Sequence, residues 1–418
     1  MPFAWENRHL QLLERARVAK EADVLTATSH GGQRTLRAHQ FAGTLRLGAD
    51  TITILPKIDY GDGRAESAAR NLLYMLEQAG TLPPHRQSLA PLLRRGGDWF
   101  ELLTRIFATE LLAQWTRGPH RHYQLIEDTL PVLRGKLQVQ RQARQPARDH
   151  RFDVAYDEFT EDNPLSRVLR YVVEQLWRRA RDGGNRRLLG ELRQLMDQVS
   201  LEPFLTAAAI QPGLINRLNA RYEPLLNLAR LFLGHESLEL ARGDAQTFAF
   251  VFDMNQLFEA FLVGFIRRRW AAVVPPGLQD CTLHPQGHHH TRYLAGQDGG
   301  GPVFRLKPDM VFRRGGDFPL LIDAKYKALT DRAGQGGMSQ SDFYQMFAYA
   351  HRYAAPRVLL LYPQVVAAHR ARFYLIDHPA TVSAATVNLR RDLSKAENQR
   401  ALAGELRQLL AMEMDNGR

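Results

Sequence analysis

The spacing of apolar and polar residues predicts strands and then helices in the first part of the chain. Residues 51–54 read Thr-Ile-Thr-Ile, which is the two-residue alternation of a half-buried strand. Together with the apolar segment 41–48 they are expected to form a hairpin through Gly48-Ala49-Asp50. Apolar residues then recur every three or four positions over 66–80 and 88–117, which predicts helices there.

The second half of the chain is predicted to alternate between helices and strands. Over 163–220 the pattern is helical and rich in arginine; Arg179–Arg187 could contact phosphate, although a solvated helix face is the favoured interpretation. The order predicted after this region is a helix over 252–270, a loop-rich stretch over 283–301, two strands within 306–327, a helix over 339–351 and strands over 358–362 and 371–376. This order is typical of an α/β domain.

Charge and cysteine content narrow the class of protein. The formal net charge is +11 and the pI is about 9.9, which favours a polyanionic partner such as nucleic acid. A general preference for arginine is the alternative, since 48 arginines accompany seven lysines. Cys281 is the single cysteine and is expected to be inert. No signal peptide and no membrane-spanning run is recognisable, so a cytoplasmic protein is expected.

The two strands within 306–327 carry the residues that suggest catalysis. Pro308-Asp309 precedes one apolar run and Asp323-Ala324-Lys325 ends the next, so both carboxylates are expected at one end of a hairpin. Two carboxylates, a phosphate oxygen and the Ala324 carbonyl would suit Mg²⁺, with Mn²⁺ as an alternative ion. In this interpretation Lys325 orients a water molecule or holds the phosphate.

The scarcity of lysine strengthens this interpretation. The pattern of an acidic residue two positions before a lysine occurs once in the chain, at Asp323 and Lys325. The alternative is a surface hairpin that ends in ordinary charged residues.

Neighbouring helices add further candidate site residues. Glu259 lies among aromatic residues and is predicted as a third metal ligand, with a salt bridge to one of Arg267–Arg269 as the alternative. Gln345 and Tyr349 share one helix face and could contact water or phosphate, with core capping as the alternative for Tyr349. Lys307, Lys327 and Tyr349 are the predicted DNA contacts.

Two other kinds of site are disfavoured by the sequence. His284, His288, His289 and His290 lie in a glycine-rich stretch without metal-ligand spacing and are taken as a solvated loop. The phosphate-binding pattern GxxxxGK[ST] is absent, so nucleotide hydrolysis would belong to a different chain.

These residues resemble the PD-(D/E)xK nuclease core and, more narrowly, the McrC family. The resemblance is carried by the motifs Asn255-Gln-Leu-Phe-Glu-Ala-Phe, Lys307-Pro-Asp, Ile322-Asp-Ala-Lys-Tyr-Lys, Asp342-Phe-Tyr-Gln-Met-Phe-Ala-Tyr, a Leu-Pro-Lys segment at 55–57, Leu133-Arg-Gly-Lys-Leu and Tyr156-Asp-Glu-Phe-Thr-Glu-Asp-Asn-Pro. It implies a nuclease subunit of a 5-methylcytosine restriction system, which cuts double-stranded DNA together with an AAA+ GTPase resembling McrB. The implied site consists of Glu259, Asp309, Asp323 and Lys325, with Gln345 auxiliary.

The predicted architecture is therefore a multidomain α+β or α/β protein. Its four regions are a β-containing motor-docking region at 1–160, an arginine-rich helical region at 161–245, a PD-(D/E)xK nuclease domain at 246–385 and a helical tail at 386–418. Two functional alternatives remain: a non-catalytic adaptor that only activates the motor, and a free-standing DNA-repair nuclease.

Overall fold

The computed structural model describes most of the chain. It describes residues 25–415 except 31–32, 39, 48–49, 57, 59–64, 83–97, 145–149, 235–246, 287–289, 330–335 and 366. Packing divides the chain into two compact units, Met1–Phe100 with Ser237–Arg418, and Glu101–Glu236. The four-region division inferred from the sequence groups residues differently and stays a prediction. None of the described helices is both long and apolar enough to cross a membrane.

The strands and helices occur in both units. The strands are β1 Leu25–His30, β2 Gln33–Ala38, β3 Phe41–Leu47, β4 Asp50–Ile54, β5 His122–Leu130, β6 Lys136–Leu137, β7 Phe152–Thr160, β8 Thr247–Asp253, β9 Thr282–Pro285, β10 Arg292–Gly296, β11 Pro302–Leu306, β12 Met310–Arg314, β13 Asp317–Ala324, β14 Arg357–Pro363, β15 Arg370–Tyr374 and β16 Thr381–Val387. The helices are α1 Ala65–Gln78, α2 Trp99–Thr116, α3 Val139–Gln142, α4 Pro164–Arg179, α5 Gly183–Leu195, α6 Glu223–Gly234, α7 Met254–Arg268, α8 Trp270–Val273, α9 Gln340–Tyr353 and α10 Ala396–Met414. The mixed α and β composition confirms the broad fold prediction.

A three-stranded sheet of the first unit joins distant parts of the sequence. β3 pairs antiparallel with β4, which confirms the hairpin predicted from the alternating residues 51–54. On its other side β3 pairs with β8, about 200 residues later in the chain. Gly43 permits this close approach: its φ is +148°, and a Cβ there would lie 2.2 Å from the carbonyl oxygen of Phe250.

The largest sheet, also in the first unit, carries the candidate site. Its strand order is β15-β16-β14-β13-β12-β9, and β13, β14 and β16 run parallel. β13 is apolar along nearly its whole length, as expected of a strand covered on both faces. The helix α9 joins β13 to β14, and its Met346 and Tyr349 pack in one cluster with Leu321 and Leu360. Two other helices pack on this sheet: α7 contacts β13, and α10 contacts β16.

Several boundaries differ from those predicted. The stretch expected to be loop-rich, 283–301, contains most of β9 and all of β10. The strand expected to run through Pro308-Asp309 is interrupted, because β11 ends at Leu306 and pairs with β10 rather than with the large sheet. β16 was not predicted at all, although its buried residues belong to the sheet. Long-range pairing, which local patterns do not encode, decides each of these cases.

The second unit contains a helical bundle and a three-stranded sheet in the order β5-β7-β6. Asn163 begins α4, since its side chain accepts the N–H of Ser166 at 3.0 Å, and Pro164 occupies the first helical turn. Asp182 caps α5 in the same way through Asn185. The start of α4 agrees with the predicted beginning of the helical region at residue 163. The predicted helical pattern up to residue 220 does not continue, because regular helix ends at Leu195 and short 3-10 turns follow.

Candidate active site

The β12–β13 hairpin brings the two predicted aspartates to the same end. Its turn is Gly315-Gly316, with Gly315 at a φ of +59°. Met310 pairs with Ile322, so Asp309 and Asp323 each lie one residue beyond this pair. The Oδ2 atom of Asp309 accepts the backbone N–H of Ala324 at 2.7 Å. The hairpin geometry predicted from the sequence is therefore present, even though Asp309 itself lies outside the strand.

Asp323 is the most buried of the acidic residues at the site. Only 1% of its side chain is exposed, and its Oδ2 lies 2.8 Å from Nζ of Lys325. The contact is a short ion pair between a buried carboxylate and an ammonium group. The backbone N–H of Lys325 donates to the Leu361 carbonyl of β14 at 2.9 Å. The neighbouring parallel strand thus fixes the lysine next to the carboxylate.

Glu259 reaches the site from α7. Its hydrogen-bonding neighbours are the side chains of Gln286 and Asp309. The alternative was a salt bridge from Glu259 to one of Arg267–Arg269. These arginines donate to other groups: Arg267 to the Leu283 carbonyl, and Arg268 and Arg269 to Gln78. This arrangement agrees with the sequence prediction that Glu259 lies beside Asp309.

The pKa values of the three carboxyl groups are all raised. Burial, followed by the charges of Asp323 and Glu259, raises the pKa of Asp309 to about 8. Burial is also the main cause that raises the pKa values of Glu259 and Asp323. Burial lowers the pKa of Lys325, but the adjacent Asp323 outweighs it, so the net shift is upward and the lysine stays charged. One ammonium group therefore faces three carboxyl groups.

Gln345 and Tyr349 form a short hydrogen-bonded chain beside the carboxylates. Gln345 Nε2 donates to Tyr349 Oη at 2.8 Å, and Tyr349 Oη donates to the Lys307 carbonyl at 2.9 Å. Tyr349 is only 1% exposed, a position that matches core capping, the alternative considered for it. The Lys307 side chain is exposed. Tyr349 thus holds the backbone just before Asp309.

Lys327 belongs to a second polar cluster at the same end of the sheet. Its Nζ pairs with Asp342, which also accepts a hydrogen bond from Tyr362 at 3.3 Å. Burial favours the neutral acid, but the hydrogen bonds from Lys327 and Ser339 lower the pKa of Asp342 overall. This carboxylate therefore has a cation of its own, whereas Asp309 and Asp323 share the ammonium group of Lys325.

Two site residues, Gln286 and Asp342, were missed in the sequence. Gln286 follows β9 with a φ of +50°, and its N–H donates to the Asp309 carbonyl at 2.7 Å. It was overlooked because β9 was taken as loop. Asp342 follows Ser339 by three residues, and Ser339 Oγ accepts its N–H at 3.2 Å. That spacing is a helix-start signal, and its link to Lys327 emerges only from the fold.

The donor set is compatible with Mg²⁺ held by few protein groups. Within the described parts of the chain, no three His, Cys, Asp or Glu side chains are grouped closely enough to form a metal cage. Mg²⁺ is commonly bound by one or two carboxylates, with water and substrate phosphate completing the octahedron. Burial and neighbouring carboxylates disfavour the ionised forms of Asp309 and Asp323 and raise their pKa values, and a bound cation would offset both effects. Asp309 and Asp323 are the best candidate ligands, and Glu259 is a less direct one.

The histidines and Cys281 that the sequence analysis set aside have other neighbours. The ring of His284 contacts Thr282 Oγ1 at 2.8 Å and lies edge-on to His290. His288 and His289 lie outside the described residues. Cys281 is buried, and burial raises the pKa of its thiol, which disfavours a reactive thiolate.

Comparison with known proteins decides the family. Residues 36–363, well over half of the chain, match the family model described as McrBC 5-methylcytosine restriction system component. The chain belongs to this family. No curated protein matches it in sequence.

Solved structures from Thermococcus gammatolerans are similar to the chain. One is described as a refined half-complex from a tetradecameric assembly of McrB AAA+ hexamers with bound McrC; it is 21% identical, has a TM-score of 0.66 and covers 98% of this chain and 96% of that one. Another, a cryo-EM structure of the McrBC complex, is 28% identical, has a TM-score of 0.48 and covers 60% of this chain and 72% of that one. At this identity, the first supports the fold alone.

These findings correct the narrower family prediction. The resemblance to McrC singled out one subunit, whereas the matching family model describes an McrBC component without distinguishing subunits. The similar structure is described first by its McrB AAA+ hexamers, with McrC as the bound component. The assignment to McrC is therefore replaced by membership of the McrBC component family. Motifs of a few residues were too short to carry the finer distinction.

Proposed function

We propose that this McrBC-family chain is a Mg²⁺-dependent DNA endonuclease with a PD-(D/E)xK site. The observation that carries the proposal is the meeting of Asp309, Asp323 and Lys325 at one end of the hairpin, with Glu259 beside them. A merely structural carboxylate would be expected to have its charge compensated, as Asp342 does. The raised pKa values at Asp309 and Asp323 support a site built to receive a cation.

The proposed reaction is hydrolysis of a phosphodiester bond. A water oxygen bonds to phosphorus, the bond from phosphorus to the leaving oxygen breaks, and the water proton passes to solvent or to the leaving group. When bound, Mg²⁺ supplies positive charge to the phosphate and lowers the pKa of water. Lys325 places a compact positive charge beside the attacking water or the phosphate. Tyr349 and the Ala324 N–H hold Asp309 and the backbone before it in place.

A nucleotide-hydrolysing partner completes the proposal. The sequence lacks the GxxxxGK[ST] loop, so the proposed endonuclease depends on another chain for nucleotide hydrolysis. The similar Thermococcus assembly contains AAA+ hexamers, which supports an AAA+ GTPase as that partner. Recognition of 5-methylcytosine is assigned to the partner rather than to this site.

The test compares the chain and its variants in complex with the partner GTPase. We expect Asp323→Ala and Lys325→Ala to reduce Mg²⁺-dependent cleavage of methylated duplex DNA by about 10³-fold or more, because each removes part of the charge arrangement around the phosphate. Asp317→Ala is the matched control, since Asp317 is exposed at the opposite end of the same strand. GTP hydrolysis is measured in parallel and is expected to continue in all three variants.

Three outcomes would contradict the proposal. Cleavage by Asp323→Ala at the wild-type rate would place the active site elsewhere. GTP hydrolysis without any cutting by the wild-type complex, with Mg²⁺ or Mn²⁺, would establish the adaptor alternative. Cutting of unmodified DNA by the isolated chain at physiological salt would favour the repair-nuclease alternative.

A further inference from the structure

A two-stranded hairpin precedes the candidate active site and lies outside the large sheet. β10 and β11 pair antiparallel with each other, and we call residues 292–306 the arm. Tyr293 pairs with Arg305 and Ala295 with Val303, and Leu294 and Phe304 lie between these pairs, at a point where the regular register is interrupted. Both side chains are exposed, Leu294 by 48% and Phe304 by 71%. The arm therefore presents two exposed apolar side chains, Leu294 and Phe304, which we call the apolar pair.

Phe304 adopts a backbone conformation that is unusual for its type. Its φ is +59°, in the left-handed region that side chains with a Cβ rarely occupy. Burial of the ring within the protein does not explain this conformation, since the ring is largely exposed. A strained position that displays an apolar side chain is a reason to look for a binding role.

The base of the arm is fastened to the body that carries the site. Arg352 Nε donates to the Tyr293 carbonyl at 2.7 Å, and Tyr349 Oη donates to the Lys307 carbonyl at 2.9 Å. Leu306 is 7% exposed and belongs to the same core cluster as Tyr349. Only Lys307 and Pro308 separate the end of the arm from Asp309. A molecule that contacts the arm is thereby placed next to the carboxylates.

The charges around the apolar pair favour a polyanion. Arg292, Arg305 and Lys307 are exposed, while the single acidic residue between 292 and 307 is Asp298 in the turn. Arginine and aromatic residues are also common at protein-binding surfaces, so the choice of a polyanion rests on the excess of positive charge along the arm and on the exposed lysine, a residue type that is depleted at protein interfaces. Proteins that bend duplex DNA often insert an apolar side chain at a base step in the minor groove and contact the flanking phosphates with basic residues.

We propose that the arm enters a groove of duplex DNA beside the bond to be cut, with Phe304 and Leu294 as an apolar wedge and Arg305 and Lys307 on flanking phosphates. The proposal rests on the proposed endonuclease function for the choice of ligand. It adds a positioning surface that acts on the duplex, separate from the carboxylates that act on the phosphate.

The experiment measures binding and base unstacking with the full chain and a duplex that carries 2-aminopurine at successive positions. We expect Phe304→Ala with Leu294→Ala to weaken duplex binding about tenfold and to remove the fluorescence increase that marks an unstacked base step. The single variant Phe304→Trp, which keeps a large aromatic ring, is expected to retain both the duplex affinity and the fluorescence increase of the wild type. Tyr374→Ala is the control, because Tyr374 is an exposed aromatic residue on β15, the strand at the opposite edge of the large sheet from β9.

A salt titration separates the basic residues from the wedge. Arg305→Ala is expected to weaken binding at every sequence tested and to reduce the slope of log affinity against log salt by about one. At saturating concentrations of the Arg305→Ala protein, the fluorescence increase of the 2-aminopurine duplex should remain. Unchanged slope and affinity would remove Arg305 from the proposed phosphate contacts.

The failure of this inference is distinguishable from failure of the proposed function. If the wild-type complex cuts DNA while the double variant binds and cuts equally well, the arm proposal is overturned alone. If wild type never cuts but the double variant loses binding and the fluorescence signal, the arm holds and the endonuclease proposal fails. A change in oligomeric state by light scattering, with DNA binding intact, would assign the apolar pair to contact with a second copy.

Discussion

Two buried carboxylate regions of the large sheet differ in how their charge is balanced. At one edge, Glu413 of α10 is 1% exposed, and Arg370, Arg372 and Ser383 contact its carboxylate at 3.1, 3.2 and 2.9 Å. At the end of the β12–β13 hairpin, Asp309 and Asp323 share a single lysine. A buried charge is expensive unless it is paired. The first region is complete without a ligand, whereas the second leaves carboxyl groups whose charge the proposed Mg²⁺ would offset.

The largest effect expected from this contrast is on the rate of DNA cleavage. Lys325→Ala should reduce cutting by about 10³-fold, because it removes the compact positive charge from the site, and it should also lower the free energy of unfolding, because the buried Asp323 carboxylate loses its ion-pair partner. Lys325→Arg should not restore activity, since the wide guanidinium group replaces a compact ammonium. Single-turnover cleavage and circular dichroism provide the measurements. Full activity in the arginine variant would show that any positive charge is sufficient.

The next largest effect should be the loss of stability on removal of Glu413. Glu413→Ala leaves two arginine side chains without their shared buried partner, and we expect it to cost about 3 kcal/mol in the free energy of unfolding. Urea denaturation measures this loss. Glu405→Ala is the control, because its pair with Arg391 is about one-quarter exposed on both sides and should be worth below about 1 kcal/mol. Equal losses in both variants would contradict the contrast between buried and exposed pairs.

At the candidate metal site, removal of a carboxyl group is expected to increase the free energy of unfolding rather than to lower it. Asp309→Asn replaces a carboxyl group whose ionised form is disfavoured by burial and by the neighbouring carboxylates, and it retains an oxygen to accept the Ala324 N–H. We expect it to stabilise the metal-free chain by about 1 kcal/mol and to abolish the rise in Tm that Mg²⁺ is expected to produce in the wild type. Differential scanning calorimetry with EDTA and with Mg²⁺ provides both values. A destabilised Asp309→Asn chain that keeps its Mg²⁺ response would remove Asp309 from the site.

A smaller, pH-dependent effect is expected at a compensated carboxylate of the second unit. Burial favours neutral Asp162, but hydrogen bonds from Arg167 and Ser200 outweigh it and lower its pKa to about 2. Because the folded pKa is depressed, the stabilisation is present above about pH 4 and is lost as pH falls toward 2. Asp162→Asn should cost about 1 kcal/mol at pH 7, a value reduced for partial exposure, and progressively less below pH 4. Urea unfolding at several pH values tests this, and a constant difference would contradict it.

Local sequence patterns predicted much of the candidate site. The apolar run of β13 and the Gly315-Gly316 turn were sufficient to place Asp309 and Asp323 at one end of a hairpin. They did not predict that β11 leaves the large sheet at Leu306, because a strand's partner depends on residues far away in sequence. Gln286 was missed for the same reason, since it reaches Asp309 only through the pairing of β9 with β12.

The sequence by itself determined which residues were available for chemistry: the single acid-x-lysine pattern at Asp323 and Lys325, the spacing of Glu259 within its helix, and the excess of positive charge. Only the tertiary structure decided which charges lack compensation. Asp342 on α9 and Asp323 on β13 are both aspartates. The hydrogen bond from Lys327 lowers the pKa of Asp342, whereas burial raises the pKa of Asp323. The physical reason is that pKa depends on desolvation and on charges a few ångströms away, and folding determines both.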